Sequence, residues 1–271
     1  METGKKKINK IRLYSCGYCV NQLSHVFRSY QKEIRKFPAL SVLIEHDTYG
    51  NILYDTGYSP LIYQNGIVSK IYNTLNRTYV NENDTIITRL KYDNIDPGSI
   101  NTIILSHAHP DHIAGLVYFQ DYELISTAGV LNSLLTGNAF DLVFKNMVPR
   151  QGVNYRAVKP YSGSTIFDGY FKKVYDIFGD GSLIGIDLSG HADGQMGLWI
   201  PEYSLLLAAD ACWGKDLTKW VSKMRFIPKL IQDDYRKYAQ CIRTLERFSR
   251  KHPEIKIIYS HGAAEEKTYE Q

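Results

Sequence analysis

The chain has 271 residues, of which 44% are hydrophobic and 22% charged, with 32 basic side chains against 28 acidic ones. That balance supports a packed core and excludes a disordered chain, and the length suits one large domain, expected here to cover 1–271. No apolar run reaches the roughly 18 residues of a membrane span. No apolar stretch follows Lys5, Lys6, Lys7 and Lys10 to make a secretory leader. A cytoplasmic protein is expected, with neither a membrane nor a nucleic acid as partner. The lysine cluster reads as a solvated tail.

Taken in chain order, 11–20 predicts a strand. Segments 41–45 and 51–55 flank Asp47-Thr48-Tyr49-Gly50, a hairpin signature. Residues 58–82 are rich in Tyr and Asn and are expected to run over the surface, with a short amphipathic piece near Ile71, Tyr72 and Leu75, as a lid would. A helix is predicted over 85–92, closed by Asp96-Pro97-Gly98, and a strand over 100–105. A second strand and helix follow at 122–127 and 130–135. Residues 140–170 give no clear pattern. Beyond Phe171 the chain is strand-rich, with turns at Gly179-Asp180-Gly181 and Pro201-Glu202. Tyr235, Tyr238, Ala239, Ile242, Leu245 and Phe248 share one helical face, and 255–259 is the last predicted strand.

Cys16, Cys19, Cys212 and Cys241 are too few for a disulfide scaffold. Cys16-Gly17-Tyr18-Cys19 lacks the second close pair of a zinc ribbon and does not open a helix, so free structural thiols are expected.

The informative run is Ser106-His107-Ala108-His109-Pro110-Asp111-His112, directly after an apolar strand. Imidazole nitrogen suits zinc, and carboxylate adds a harder oxygen donor. Two histidines at i, i+2 point to one side of extended chain, while Asp111 and His112 turn elsewhere as the chain coils. One segment can therefore feed two metal positions.

This run resembles the H-x-H-x-D-H signature of the metallo-β-lactamase superfamily. Further motifs stand in the family's order: Asp55-Thr56-Gly57 after an upstream strand, then His191, Asp210 and His261, each beyond an apolar strand. The resemblance covers 51–261 and implies an α+β fold, a four-layer αββα sandwich with metals at one edge between the sheets. It implies that His107, His109 and His191 hold one metal and Asp111, His112 and His261 another, with Asp210 bridging. Asp55 is implied to orient a ligand histidine. Two transition-metal ions, zinc first with iron or manganese as alternatives, would supply a bridging hydroxide for hydrolysis of a small molecule. Asp111 would pass a proton to the leaving group.

Within the superfamily, the iron-dependent oxidoreductases carry glutamate at the place of His109, and the zinc β-lactamases carry cysteine at that of Asp210. The N-acyl homoserine lactonase group shares the ligand set. It carries a tyrosine three residues after the bridging aspartate, where this chain has Trp213. An indole donates one hydrogen bond but is no phenol, so Trp213 is either that donor or a pocket wall. Tyr58, Tyr63 and Tyr118 are candidate replacements, and Trp199 is a further candidate wall. The expected activity is ester or lactone hydrolysis. A phosphodiesterase, a thioester hydrolase and a non-catalytic metal-dependent sensor are alternatives, and either a monomer or a homodimer is compatible.

Overall fold

The computed structural model describes residues 6–262 and 267–270. Along the chain, strands β1 (Ile8–Gln22), β2 (Ile34–His46), β3 (Gly50–Tyr54), β4 (Arg77–Tyr79), β5 (Ile100–Ile104), β6 (Tyr122–Ser126) and β7 (Val153–Ala157) build one mixed sheet. Strands β8 (Val174–Asp176), β9 (Ile184–Asp187), β10 (Met196–Ile200), β11 (Leu205–Leu207) and β12 (Lys256–Ile258) form a second, and β13 (Lys267–Glu270) returns to the first beside β1. One helical turn, α1 (Leu23–Val26), follows β1. The expected hairpin is present, with β2 and β3 antiparallel and Val42 opposite Tyr54.

Side-chain alternation explains why the sheets stack. Successive strand residues face opposite sides: Ile52, Tyr54, Ile104, Met196, Leu198 and Leu207 belong to one buried cluster, whereas the intervening Leu53, Ile103, Trp199 and Leu206 belong to another. The first cluster fills the space between the sheets. It is crossed by the Tyr54 hydroxyl, which donates to the Met196 carbonyl at 2.8 Å. The second underlies helices on the outer faces. On the first sheet these are α3 (Ile86–Tyr92), through Ile86 and Leu90, and α5 (Ala128–Thr136), through Val130 and Leu134. On the second sheet α7 (Tyr235–Lys251) packs Phe248 on Phe167, whose ring meets Trp199 edge-on. These are the four layers the motifs implied.

Within 58–82, Tyr58, Ile62, Tyr72 and Thr78 are buried while Ile67, Ile71 and Leu75 are exposed; α2 (Gly66–Leu75) occupies the middle, and β4 pairs with β1. One expectation changes. Trp199 lies on the outer face of β10, against Phe167, and lines no part of the pocket described below. The four cysteines are buried free thiols, and no described helix is long and apolar enough to cross a membrane.

Candidate metal centre

Each candidate site residue follows the carboxyl end of a strand: the orienting Asp55 after β3, the His107–His112 run after β5, His191 after β9, Asp210 after β11 and His261 after β12. Strands β3 and β5 are parallel, as are β11 and β12, and β9 and β11 both pair antiparallel to β10. Their ends therefore open at one edge, the usual place for a ligand in open α/β sheets. Beyond His109, Pro110 starts the single-turn helix α4 (Pro110–Ile113) with its preset φ, and that turn carries Asp111 and His112 away from His107. Two glycines shape the approach. Gly57 of the D-T-G run has φ +67° and abuts Cys16. Gly190 has φ +140°, and a Cβ there would collide with the Tyr238 backbone, so His191 sits tight against α7.

The seven residues gather into two adjoining groups. His107, His109 and His191 form one; Asp111, His112, Asp210 and His261 form the other; within each, the donor atoms lie within 4.8 Å of one another. His191 Nε2 and His109 Nδ1 are 3.0 Å apart. Asp210 joins the groups, with Oδ2 at 2.9 Å from His261 Nε2 and 3.4 Å from His191 Nε2, and Oδ1 at 3.4 Å from His112 Nε2. Asp111 Oδ2 lies 3.4 Å from His261 Nε2. All but the half-buried His109 are buried.

The donor set fits divalent metal. His107 Nε2, His112 Nε2 and Asp210 Oδ1 are buried without a hydrogen-bond partner, each a cost of about 1–3 kcal/mol unless something else engages it. All three belong to the converging ligand atoms. No thiolate is included, which marks a catalytic rather than a structural type of site.

Charge divides the site. Burial, reinforced by the neighbouring imidazoles, holds His107 and His109 well below the usual histidine range, and burial lowers His191. Neutral imidazoles offer lone pairs to a metal. For His112 and His261 burial pulls the same way, but it is outweighed by the carboxylates of Asp111, Asp55 and Asp210 at His112, and of Asp210 and Asp111 at His261, which rises to about 9. Burial acts to raise Asp210, yet the His261 and His112 charges keep it well below the carboxylate range.

Outer contacts hold the ligands. Asp55 Oδ2 meets His112 Nδ1 at 2.7 Å, and Asp55 also accepts from the Ser106 amide and hydroxyl, both at 2.7 Å. Gln232 Oε1 lies 2.8 Å from His191 Nδ1, and the Pro38 carbonyl 2.8 Å from His261 Nδ1. Ser106, Gln232 and Pro38 escape sequence reasoning. Ser106 at least adjoins the motif, but Gln232 lies in an unpatterned stretch and Pro38 acts through its backbone.

A pocket over the centre is lined by Phe37, Tyr58, Tyr72, Asp111, Trp213 and His261 among others, and it shares Asn21, His109, Leu142 and Trp213 with a wider groove of about 850 Å³. Trp213 meets His191 and Phe37 edge-on and lines the pocket. Of the three candidate tyrosines only Tyr58 lines the pocket; Tyr63 donates to the Thr78 carbonyl instead.

Comparison with known proteins bears on the fold. An N-acyl homoserine lactone hydrolase with N-hexanoyl-L-homoserine at its catalytic metal centre superposes with a TM-score of 0.72 at 20% identity, covering 95% of this chain and 94% of its own. A B. thuringiensis AiiA variant with N-decanoyl-L-homoserine bound gives 0.73 at 20%, over 95% and 94%. AidC, a dizinc quorum-quenching lactonase, gives 0.62 at 14%, over 98% and 96%. No curated protein matches in sequence. The model of the Metallo-beta-lactamase superfamily matches residues 34–251, and the chain belongs to that superfamily.

Proposed function

We propose that this metal-dependent hydrolase holds two ions, zinc by preference, and cleaves an ester or lactone bearing an apolar acyl group. The carrying observation is Asp210, whose two oxygens face both ligand groups. His107, His109 and His191 would hold one ion and Asp111, His112 and His261 the other, with Asp210 between. Iron and manganese also accept such a mixed nitrogen and oxygen set. When bound, two such ions would lower the pKa of a water and polarise a carbonyl oxygen.

The chain's own residues supply the rest. Asp111 faces the pocket beside His261 and can carry a proton to a departing alkoxide. Amines leave less readily, which favours esters and lactones over amides. Tyr58 Oη lies 2.8 Å from Tyr72 Oη. Either hydroxyl can donate in this pair; with Tyr72 donating, Tyr58 can turn its own proton toward a substrate carbonyl. Phe37, Trp213 and Leu142 make apolar walls suited to an acyl chain. Among the described residues lining pocket and groove there is no Lys or Arg, which speaks against a phosphodiester. The acyl-homoserines bound in the three structural relatives fit the same reading.

The test is a substrate panel on metal-loaded protein. The expected order of kcat/KM is medium-chain acyl lactone, then thioester, then chromogenic phosphodiester. A preference for the phosphodiester overturns the lactone reading.

A further inference from the structure

Large apolar side chains stand in solvent around the mouth of the groove. Leu75, Phe140, Ile227 and Leu230 line it, yet are 55%, 99%, 61% and 66% exposed. Ile67 and Ile71, 73% and 57% exposed, continue the Leu75 stripe along α2 at i, i+4 spacing. Phe226, at 68%, extends the other flank on helix α6 (Phe226–Leu230). Isolated exposed apolar residues need no explanation, but a ring of them around one opening does.

Cations accompany the ring. Lys215, Lys219, Lys223, Arg225 and Lys229 lie on 215–230 against the single acid Asp216, which pairs with Arg35 at 2.8 Å. On the opposite flank Lys70 and Arg77 have no acid between 66 and 77. Asp141, Asp193 and Asp233 line the groove rather than the two apolar helices. Two copies meeting face to face about a twofold would set these basic flanks against each other. A layer of anionic headgroups over acyl chains complements both features. We infer that α2 and α6 rest on an anionic lipid surface, with the groove opening toward it. The absence of a membrane partner, expected from hydropathy, rested on spanning alone. Lying on a surface needs only an apolar face with cations beside it.

The test is flotation of the full chain with vesicles of phosphatidylcholine mixed with phosphatidylglycerol, against phosphatidylcholine alone. The protein is expected to float with the anionic vesicles only. Lys70→Gln and Lys219→Gln should each lower partitioning about five-fold. Ile67→Ser with Ile71→Ser and Phe226→Ser should abolish flotation while metal content and turnover of a short soluble ester stay unchanged. If that triple variant fails to fold, the lysine variants at exposed positions carry the test. Equal flotation with both vesicles, or none with either, overturns the inference. So does a dimer, seen by light scattering, that the same apolar substitutions dissociate.

Discussion

Asp55 Oδ2 lies 2.7 Å from His112 Nδ1, with both side chains buried and Asp55 held at φ +58°. The contact presents His112 Nε2 to the metal centre and fixes which nitrogen faces inward. Asp55→Asn should keep the backbone, since Asn tolerates the left-handed region, while weakening metal affinity or activity about 10- to 100-fold. Asp55→Ala should in addition unfold at lower temperature, because the Ser106 amide loses its acceptor. Metal titration and thermal melts of the two variants separate these effects.

Metal content should discriminate the two ligand groups. Wild-type protein purified from zinc-supplemented medium is expected to hold about two ions per chain. His107→Ala should chiefly empty the first position. Asp210→Asn should loosen both, since it faces His191 of the first group through Oδ2 and His112 and His261 of the second through Oδ1 and Oδ2. Elemental analysis that finds full content in Asp210→Asn would show that the bridge is elsewhere.

How much of this centre could be read from sequence depends on the kind of atom involved. The His107–His112 run was legible because its donors are side chains packed into one short segment after an apolar strand. His191, Asp210 and His261 were legible only through their order along the chain. Gln232 and the Pro38 carbonyl were not, since neither has a compositional mark. Trp199 misled for a different reason: distance from His191 along the chain does not say which face of β10 a side chain takes, and Met196 and Leu198 hold the inner one. Within 58–82 the Tyr- and Asn-rich composition does not say which tyrosines face inward; tertiary burial of Tyr58 and Tyr72 decides it.

Tyr58→Phe should lower kcat for a lactone about 10-fold, the scale of one neutral hydrogen bond, with little change in metal content. Burial keeps its phenol protonated far above neutral pH, so the effect should not vary with pH through the neutral range. Steady-state kinetics of Tyr58→Phe beside Tyr72→Phe test this, and an unchanged kcat in both rules the pair out.

Acid should weaken the fold through His46. Its Nδ1 accepts from the Thr48 and Tyr49 amides at 3.1 and 3.3 Å, which leaves Nε2–H to donate to Ser182 Oγ at 3.0 Å. Burial lowers its pKa, and protonation would remove the Nδ1 acceptor. A histidine lowered on folding adds stability above its unfolded pKa of about 6.5. That stability is lost as pH falls through the lower folded value. Melting temperatures of His46→Gln should therefore depend less on pH than those of wild type below about 6.5.

Because His107 and His109 hang from one sheet and His191, Asp210 and His261 from the other, metal bound there would act as a latch between chain segments remote in sequence. Opening the sandwich would mean surrendering the ions. At a free metal concentration 100 times the dissociation constant, one such site adds about 2.7 kcal/mol to the work of unfolding. Chelation should then turn one cooperative melt into an earlier one, and the lifetime of the folded chain becomes a readout of how much metal its surroundings supply.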